Sequence, residues 1–462
     1  MKPVALSRLV AGRSARKVRL LFAFALILAC ANAAFSQTTL TPEDARLTAA
    51  KLLAAGQHDA SAQITSVLIK RDASDTASLI LHSHAMRNLG KLDTAQSAAK
   101  TAWRTADRDL EKYGAALAMA QALSTDNRKT RAQAWLRRAA HVAPTPQLRA
   151  RAVRDYQFVR KTNPWSVGFS FGITPSDNVN NAPRDNTIVL GGLLFEDPNA
   201  VPISGFEVQT HVNLRYNFSE KQTSRNYVSL QWTENHVVFT DDDAPDDVSA
   251  SDFSFRRFEA TLGRDFTTGP GKPRQTVSLS FGKLWSGGDE LADEVRLNWR
   301  QTFAKPQGRV FSWDATIGYS DRKDNDLRSG VTSSIGARWS RPLENGGRLG
   351  WHTSLGRTNT DSLALTHTSL SAGVQYTLGK PIMGAIAQLT ADVQARDYDD
   401  PLFGPDARQD FRTTLSASLL FVDFDTYGFA PKLTLEATQT NSNITRFETR
   451  NFGLQIGFQS LF

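Results

Sequence analysis

The stretch RFETRNFGLQIGFQSLF, residues 446–462, carries the alternating pattern that decides the fold of this chain. From Phe452, its side chains alternate, with Phe452, Leu454, Ile456, Phe458 and Phe462 on one face. Up to Gln459, the positions between them hold only small or polar residues. Because side chains of a β-strand alternate between two faces, we predict a strand with lipid on one face and a polar lumen on the other. Such a strand closes a membrane barrel and signals its assembly.

The same alternation of apolar and polar residues extends back to Trp165, over 298 residues rich in glycine, asparagine, threonine, serine and aromatic residues. We predict fourteen strands there, which leaves about 21 residues for each strand with its connection. The predicted starts lie near Trp165, Gly205, Ser224, Asp252, Arg274, Asp289, Gly308, Asp326, Gly346, Leu363, Ile382, Arg408, Gly428 and Arg446. An even number of antiparallel strands returns both ends of a barrel to the same side of the membrane.

The connections between these strands also alternate. Those after even strands are short and turn-like, whereas those after odd strands are longer or more acidic, at 174–204, 240–251, 321–326 and 397–407. Outer-membrane barrels have this asymmetry, and their tryptophans form girdles at the membrane interfaces. Tryptophans that fit such girdles are Trp232, Trp285, Trp299, Trp313, Trp339 and Trp351. A soluble β-solenoid or sandwich is the alternative, but it leaves the loop asymmetry and the polar second face unexplained.

Residues 37–164 have a different, helical spacing of apolar positions and contain an internal repeat. Gly56 and Gly90 are 34 residues apart, as are Asp59 and Asp93, and this is the tetratricopeptide period. A third, degenerate unit is predicted from Tyr113 to Ala140. We predict a tetratricopeptide-like domain with these residues at its turns and a concave face for a peptide or protein. A small helical bundle without a binding role is the alternative.

Residues 1–36 are predicted to be a secretory signal peptide. A basic segment precedes the apolar run 20–29, and Ala31-Asn32-Ala33 follows as a small-residue cleavage site. The single cysteine, Cys30, lies in this segment, so the mature chain has no disulfide unless Cys30 is kept as a lipidated residue.

The formal charge of +8 is unevenly distributed along the chain. Residues 37–164 hold 20 basic and 11 acidic residues, a balance of +9, and residues 165–462 hold 28 and 35, a balance of −7. No extended basic tract with interleaved aromatics indicates nucleic-acid binding. The basic helical surface is either simply solvated or contacts anionic lipid or acidic clients.

Candidate catalytic and metal-binding patterns are weak. The run Asp241–Asp243 with Asp246 and Asp247 lacks the glycine and ligand spacing of a calcium loop. His82 and His84 fall on different faces of a helix, and Ser97 with Lys100 lacks the companion motifs of penicillin-binding enzymes. We therefore expect no enzyme activity, no cofactor and no metal.

Two asparagine-rich segments resemble a known family. The segment Pro175-Ser176-Asp177-Asn178-Val179-Asn180-Asn181-Ala182 is similar to the Pro-x-x-Asn-Ile-Asn-Asn-Ala stretch that follows the first barrel strand of surface lipoprotein assembly modifiers (type XI secretion). A second segment, with Asn441 and Asn443, is similar to the Ser-Asn-Ile stretch of that family. Both follow odd strands, so they are expected at the extracellular barrel mouth, as turn formers or as contacts to cargo.

The resemblance implies an outer-membrane protein of Gram-negative bacteria that delivers lipoproteins, or related soluble cargo, from the periplasm to the cell surface. Its helical domain would lie in the periplasm. Its partners would be that cargo, periplasmic chaperones, the barrel assembly machinery and outer-membrane lipid. A passive solute porin with an accessory helical domain is the alternative, and an outer-membrane hydrolase is a third possibility without a supporting motif.

Overall fold

The computed structural model describes residues 40–183, 187–190, 193–196, 201–218, 223–240, 248–401 and 406–461. The predicted signal peptide, the aspartate run 241–247 and Phe462 lie outside these residues. Within these described residues, seven helices come first, in the order α1 to α7: Pro42–Ala54, His58–Arg71, Thr76–Asn88, Leu92–Thr105, Asp109–Thr125, Lys129–His141 and Pro146–Thr162. None of the described helices is long and apolar enough to cross a membrane.

The helices pair in the tetratricopeptide manner, and each of the first three pairs turns at a left-handed residue. Gly56 has a φ of +78° between α1 and α2, and Gly90 has a φ of +75° between α3 and α4. Asn127 takes the same position between α5 and α6 with a φ of 57°, which asparagine tolerates better than most residues. Asp59 and Asp93 lie in the first turns of α2 and α4, where a carboxylate stabilises the positive end of the helix dipole.

Small residues let the helices pack closely. The main core joins α5, α6 and α7 around Tyr113, Leu117, Leu136, Tyr156 and Val159, with fully buried alanines between them. Buried serines bond backbone carbonyls of neighbouring helices, so no polar cost offsets the close approach.

A closed antiparallel barrel of fourteen strands follows, which confirms the predicted fold class. In chain order, β1 to β16 are Trp165–Ser176, Thr187–Leu190, Leu193–Glu196, Gly205–Asn217, Ser224–Phe239, Phe255–Thr267, Arg274–Ser286, Asp289–Ala304, Val310–Arg322, Gly330–Pro342, Arg348–Thr360, His367–Thr377, Ile386–Pro401, Ala407–Leu420, Phe429–Ser442 and Thr449–Ser460. β2 and β3 form a separate hairpin, and β1 with β4–β16 form the barrel. Each predicted start lies within four residues of an observed barrel strand.

The outer face of the barrel is an apolar band. Phe452, Ile456 and Phe458 of β16 all point outward and are 50–57% exposed. Tryptophans pair across adjacent strands on this face: Trp339 stacks on Trp351 with ring centroids 4.2 Å apart, and Trp299 meets Trp313 at 4.6 Å. A surface with this much exposed apolar area is stable only against lipid.

The connections differ from the sequence expectation in two places. The hairpin of β2 and β3 was not predicted, because its two four-residue strands lie inside a long loop after β1. The turn between β7 and β8 consists of Gly287 and Gly288 alone, with φ values of +62° and +97°. Two adjacent left-handed glycines allow a tight hairpin at an end where longer loops were expected.

The β1–β16 pairing, here called the seam, closes the barrel with few bridges. Within the described residues, β1 pairs with β16 only at Phe171–Ile173 and Ser176, whereas its pairing with β4 covers all residues from Trp165 to Ser176. Pro175 lacks a backbone N–H and interrupts the ladder. Gly457 is buried at the seam, and a Cβ there would lie 2.7 Å from the Phe171 carbonyl oxygen.

We expect Gly457→Ala to weaken barrel closure, because the atom that a methyl group would meet is backbone and cannot rotate away. Overpacking of this kind costs about 1–3 kcal/mol. The folded form on SDS gels should therefore be lost at a lower temperature than in the unaltered protein. Gly350→Ala is the control, since its added Cβ would meet nothing closer than 3.5 Å. Equal losses in the two variants would contradict this account of the seam.

Candidate functional site

The lumen is lined by polar and small side chains. The register places apolar residues outward, so the alternate residues of each barrel strand face inward. On β16 the inward residues are Asn451, Gly453, Gln455, Gly457 and Gln459. This lining can hold water and offers hydrogen-bonding groups at every height of the barrel.

One wall of the lumen is charged. Arg257 of β6 donates to Glu294 at 2.6 Å and to Glu259 at 3.0 Å, and Arg296 donates to the same two carboxylates at 3.0 and 3.3 Å. Arg300 and Arg338 flank Asp314 on the neighbouring strands, with N–O distances of 3.7 and 3.0 Å. The arginines and carboxylates of this wall form ion pairs with one another, so the wall is polar without a strong excess of positive or negative charge.

A second charged cluster lies at the rim near the helical domain. The Asp265 carboxylate accepts hydrogen bonds from Arg215 at 2.9 Å, Arg274 at 3.1 Å and Arg225 at 3.3 Å. Thr276 adds a fourth bond at 2.7 Å. Three guanidinium groups around one carboxylate leave this part of the rim positively charged.

The wall formed by β10, β11 and β12 has small inward residues instead. Ser334, Gly336, Ser354, Gly356 and Ser371 carry no large side chain into the lumen. Arg338 and His352 also face the lumen on this wall, so the small residues widen only part of its height.

The first asparagine-rich segment folds the loop after β1 across the seam. The Asn178 side chain is buried, accepts from the Ala182 N–H at 2.7 Å and donates to the Ala182 carbonyl at 3.0 Å and to Asn451 Oδ1 at 3.1 Å. Asn451 in turn donates to Asn181, which has a φ of 50°. The contacts observed are thus turn contacts that fasten β1 to β16 at this end.

The neighbouring motif residues have related roles. Asn180 bonds the backbone of Val201 at 2.8 Å and of Ile203 at 3.0 Å, and so fixes the returning end of the long loop. Pro175 lies in β1 at the interrupted part of the seam ladder. Sequence reasoning identified these residues but did not predict the bridge to Asn451.

The second asparagine-rich segment lies at the same end of the barrel but bonds other neighbours. Asn443 accepts from the Gln409 N–H and donates to the Ala407 carbonyl, both at 2.8 Å, and so ties the loop after β15 to the start of β14. Asn441, within β15, accepts from Gln439 at 2.8 Å. The two segments therefore shape the mouth separately.

The helical domain is fastened to the opposite rim by two arginines. Arg149 of α7 forms an ion pair with Asp425, whose side chain is 4% exposed in the turn between β14 and β15. Arg137 of α6 donates to the Tyr427 carbonyl at 3.1 Å and to Ser460 Oγ at 2.9 Å. Leu461 packs against the helical core. No sequence pattern identified these contacts, because they join residues 276 to 323 positions apart.

His82 and His84 both lie in α3. Buried His82 lies 2.9 Å from Thr65 Oγ1 through its Nδ1. Burial, with a smaller contribution from the positive charge of Arg87, lowers the pKa of His84 to about 4, so this side chain is neutral at ordinary pH. Within the described parts of the chain, no group of three or more His, Cys, Asp or Glu residues could hold a metal ion.

Comparison with known proteins gives few matches in sequence and many in architecture. No curated protein matches the sequence. The barrel is similar to OprB of Pseudomonas putida at 10% identity and a TM-score of 0.39, covering 68% of this chain and 96% of OprB. It is also similar to a BenF-like porin of Pseudomonas fluorescens at 7% identity and a TM-score of 0.35, covering 64% of this chain and 99% of the porin. These similarities concern backbone architecture alone.

The helical part is similar to SycD, a type III secretion translocator chaperone of Yersinia enterocolitica, at 15% identity and a TM-score of 0.24. That match covers 26% of this chain and 83% of SycD. A barrel closed by fourteen strands, with an apolar outer band and a polar lumen, is an outer-membrane barrel. Residues 347–456, from β11 into β16, match the family model described as surface lipoprotein assembly modifier, the same family that the asparagine-rich segments resemble.

Proposed function

We propose that this protein is an outer-membrane translocator that delivers lipoproteins from the periplasm to the cell surface. The family match in the last six strands carries this proposal. Two features of the structure support it. The lumen is polar, and a tetratricopeptide-like domain is fixed beside one rim, where it raises the effective concentration of a bound client.

The helical domain lies in the periplasm in this proposal, because export through the inner membrane delivers the chain there before its barrel inserts. Its clients and any chaperones reach it from that side. The barrel assembly machinery would insert the barrel, with β16 as the closing strand. The chain acts without enzyme activity or cofactor.

The width of the lumen limits what passes through it. Fourteen strands about 4.8 Å apart and tilted by about 40° give a Cα radius of roughly 14 Å. Inward side chains leave a passage roughly 15 Å wide, whereas a folded domain of about 100 residues has a radius of gyration of about 13 Å. An extended chain or a single helix about 10–12 Å across fits, but a folded domain does not. We infer that clients pass unfolded.

Surface exposure of lipoproteins tests the proposal. Intact cells with and without this protein would be treated with an external protease, and released lipoprotein peptides identified by mass spectrometry. We expect one or a few lipoproteins to be released only when the protein is present. Release of the same set from both strains would contradict the proposal.

A passive porin is the second candidate, and the polar, partly charged lumen favours it. The two functions differ in what the helical domain contributes. A porin keeps its conductance in a planar bilayer when the helical domain is detached, whereas lipoprotein delivery requires the domain beside the rim.

We expect Arg149→Glu to reduce lipoprotein exposure, because it replaces an ion pair to nearly buried Asp425 with two repelling carboxylates. The double variant R149E with Asp425→Arg restores opposite charges and should recover most of the exposure. Arg151→Glu is the control, since Arg151 is exposed on the same helix and makes the same charge change. Exposure that is equal in R149E and in the control would show that docking does not matter for delivery.

A further inference from the structure

The seam is open at the end that faces the helical domain. If the β1–β16 register continued beyond Phe171 and Phe458, Ser170 would pair with Gln459 and Phe169 would pair with Ser460. Neither of these two bridges is formed. All six residues from Trp165 to Ser170 are exposed. These six residues, paired with β4 alone among the described strands, are called the open edge.

An open strand edge presents backbone donors and acceptors. In an antiparallel sheet, alternate residues bond opposite neighbours, so about half of the backbone N–H and C=O groups of the open edge point into the seam, of which the Trp165 N–H is already bonded to Asn163. Such an edge is a template for another strand. At about 3.4 Å per residue, it extends roughly 20 Å.

The side chains leave room for an added strand. The lumen-facing residues of the open edge are Ser166, Gly168 and Ser170, and none projects far from the backbone. A cavity of about 480 Å³ lies along this part of the seam, lined by Phe169–Gly172 of β1 and by Gly457–Ser460 of β16. Polar side chains of Gln209, Lys432 and Gln455 also contribute to the lining.

The helical domain flanks the open edge on both sides. On one side, α7 ends at Thr162, and the Trp165 N–H donates to buried Asn163 at 3.1 Å. On the other side, Arg137 holds Ser460, and the Leu461 N–H donates to the Gly428 carbonyl at 2.8 Å. The end of β16 is thus bound to the helical domain and to the neighbouring turn.

We propose that the open edge is a strand-acceptor site that binds an extended segment of the client polypeptide by β-strand addition. This inference rests on the proposed translocation of lipoproteins and states where an unfolded client first enters the barrel wall. Main-chain hydrogen bonds provide affinity without requiring one sequence. A client that the helical domain releases therefore meets unpaired backbone next to the lumen.

The position within the seam suits a lipidated client. A strand added there has the membrane on one side and the lumen on the other. Moving an acyl chain into water costs about 0.8 kcal/mol per CH₂ group, so the anchor stays in lipid while the polypeptide contacts the lumen. The preferred segment has apolar residues on its outward side and small or polar residues on its inward side.

A disulfide across the seam tests the proposal. Ser170→Cys with Gln459→Cys pins β1 to β16 at one strand spacing, which leaves no room for a further strand between them. Ser354→Cys with Ser371→Cys is the matched control, because these lumen-facing serines already pair across β11 and β12. The only native cysteine, Cys30, lies in the predicted signal peptide. The readout is lipoprotein release from intact cells by external protease.

We expect the seam disulfide to lower release to the level of cells without the protein, and a reducing agent to restore it. The control disulfide should leave release unchanged. If both disulfide variants deliver lipoproteins equally, the strand-acceptor site is wrong while the proposed translocation stands. If no lipoprotein depends on the protein in any strain, the proposed translocation fails instead.

Photo-crosslinking tests the strand-acceptor site directly, even if no lipoprotein depends on the protein for delivery. The photoreactive residue p-benzoylphenylalanine would replace Ser166 in the open edge or, as the control, Ser371 in a fully paired strand. We expect polypeptide adducts at position 166 and none at position 371. Where lipoprotein delivery depends on the protein, the adducts should contain the same lipoproteins that the seam disulfide retains. Absence of adducts at position 166, or equal adducts at both positions, would overturn the proposal.

Discussion

Closure of the barrel is the constraint on which the rest of the structure depends. An unpaired backbone group in the hydrocarbon core costs several kcal/mol, so the first and last strands must meet. They meet through few bridges, with Gly457 allowing close approach and the Asn178–Asn451 contact fastening the far end. Among the described strands, the seam is the barrel ladder with the fewest bridges.

Closure of the barrel also determines where the helical domain lies. Because α7 continues into β1 and the end of β16 packs on α6 and the helical core, the domain is attached to both strands of the seam. In the proposed function, this attachment brings a client held by the domain next to the open edge and the lumen. The basic balance of residues 37–164 and the arginine cluster around Asp265 give this end of the molecule a positive surface.

Features that repeat along the chain could be predicted from the sequence, and single long-range contacts could not. The alternation of apolar and polar residues predicted the barrel and its fourteen strands. The 34-residue spacing of Gly56 and Gly90 predicted helix pairs, and both glycines have a left-handed backbone conformation. The asparagine-rich segments resemble the family whose model matches residues 347–456. The Arg149–Asp425 pair and the open edge had no sequence signal, because each depends on how distant segments meet in the closed barrel.

Reconstitution tests the central claim, passage of an unfolded client through this barrel, most directly. The purified full chain would be placed in liposomes, a urea-unfolded acylated client added on the helical-domain side, and protection from added protease measured. We predict protection in liposomes with the chain, none in empty liposomes, and none for a client fused to a domain that a bound ligand keeps folded. A client that stays fully digestible while small solutes cross the same membranes would contradict the account and identify a porin.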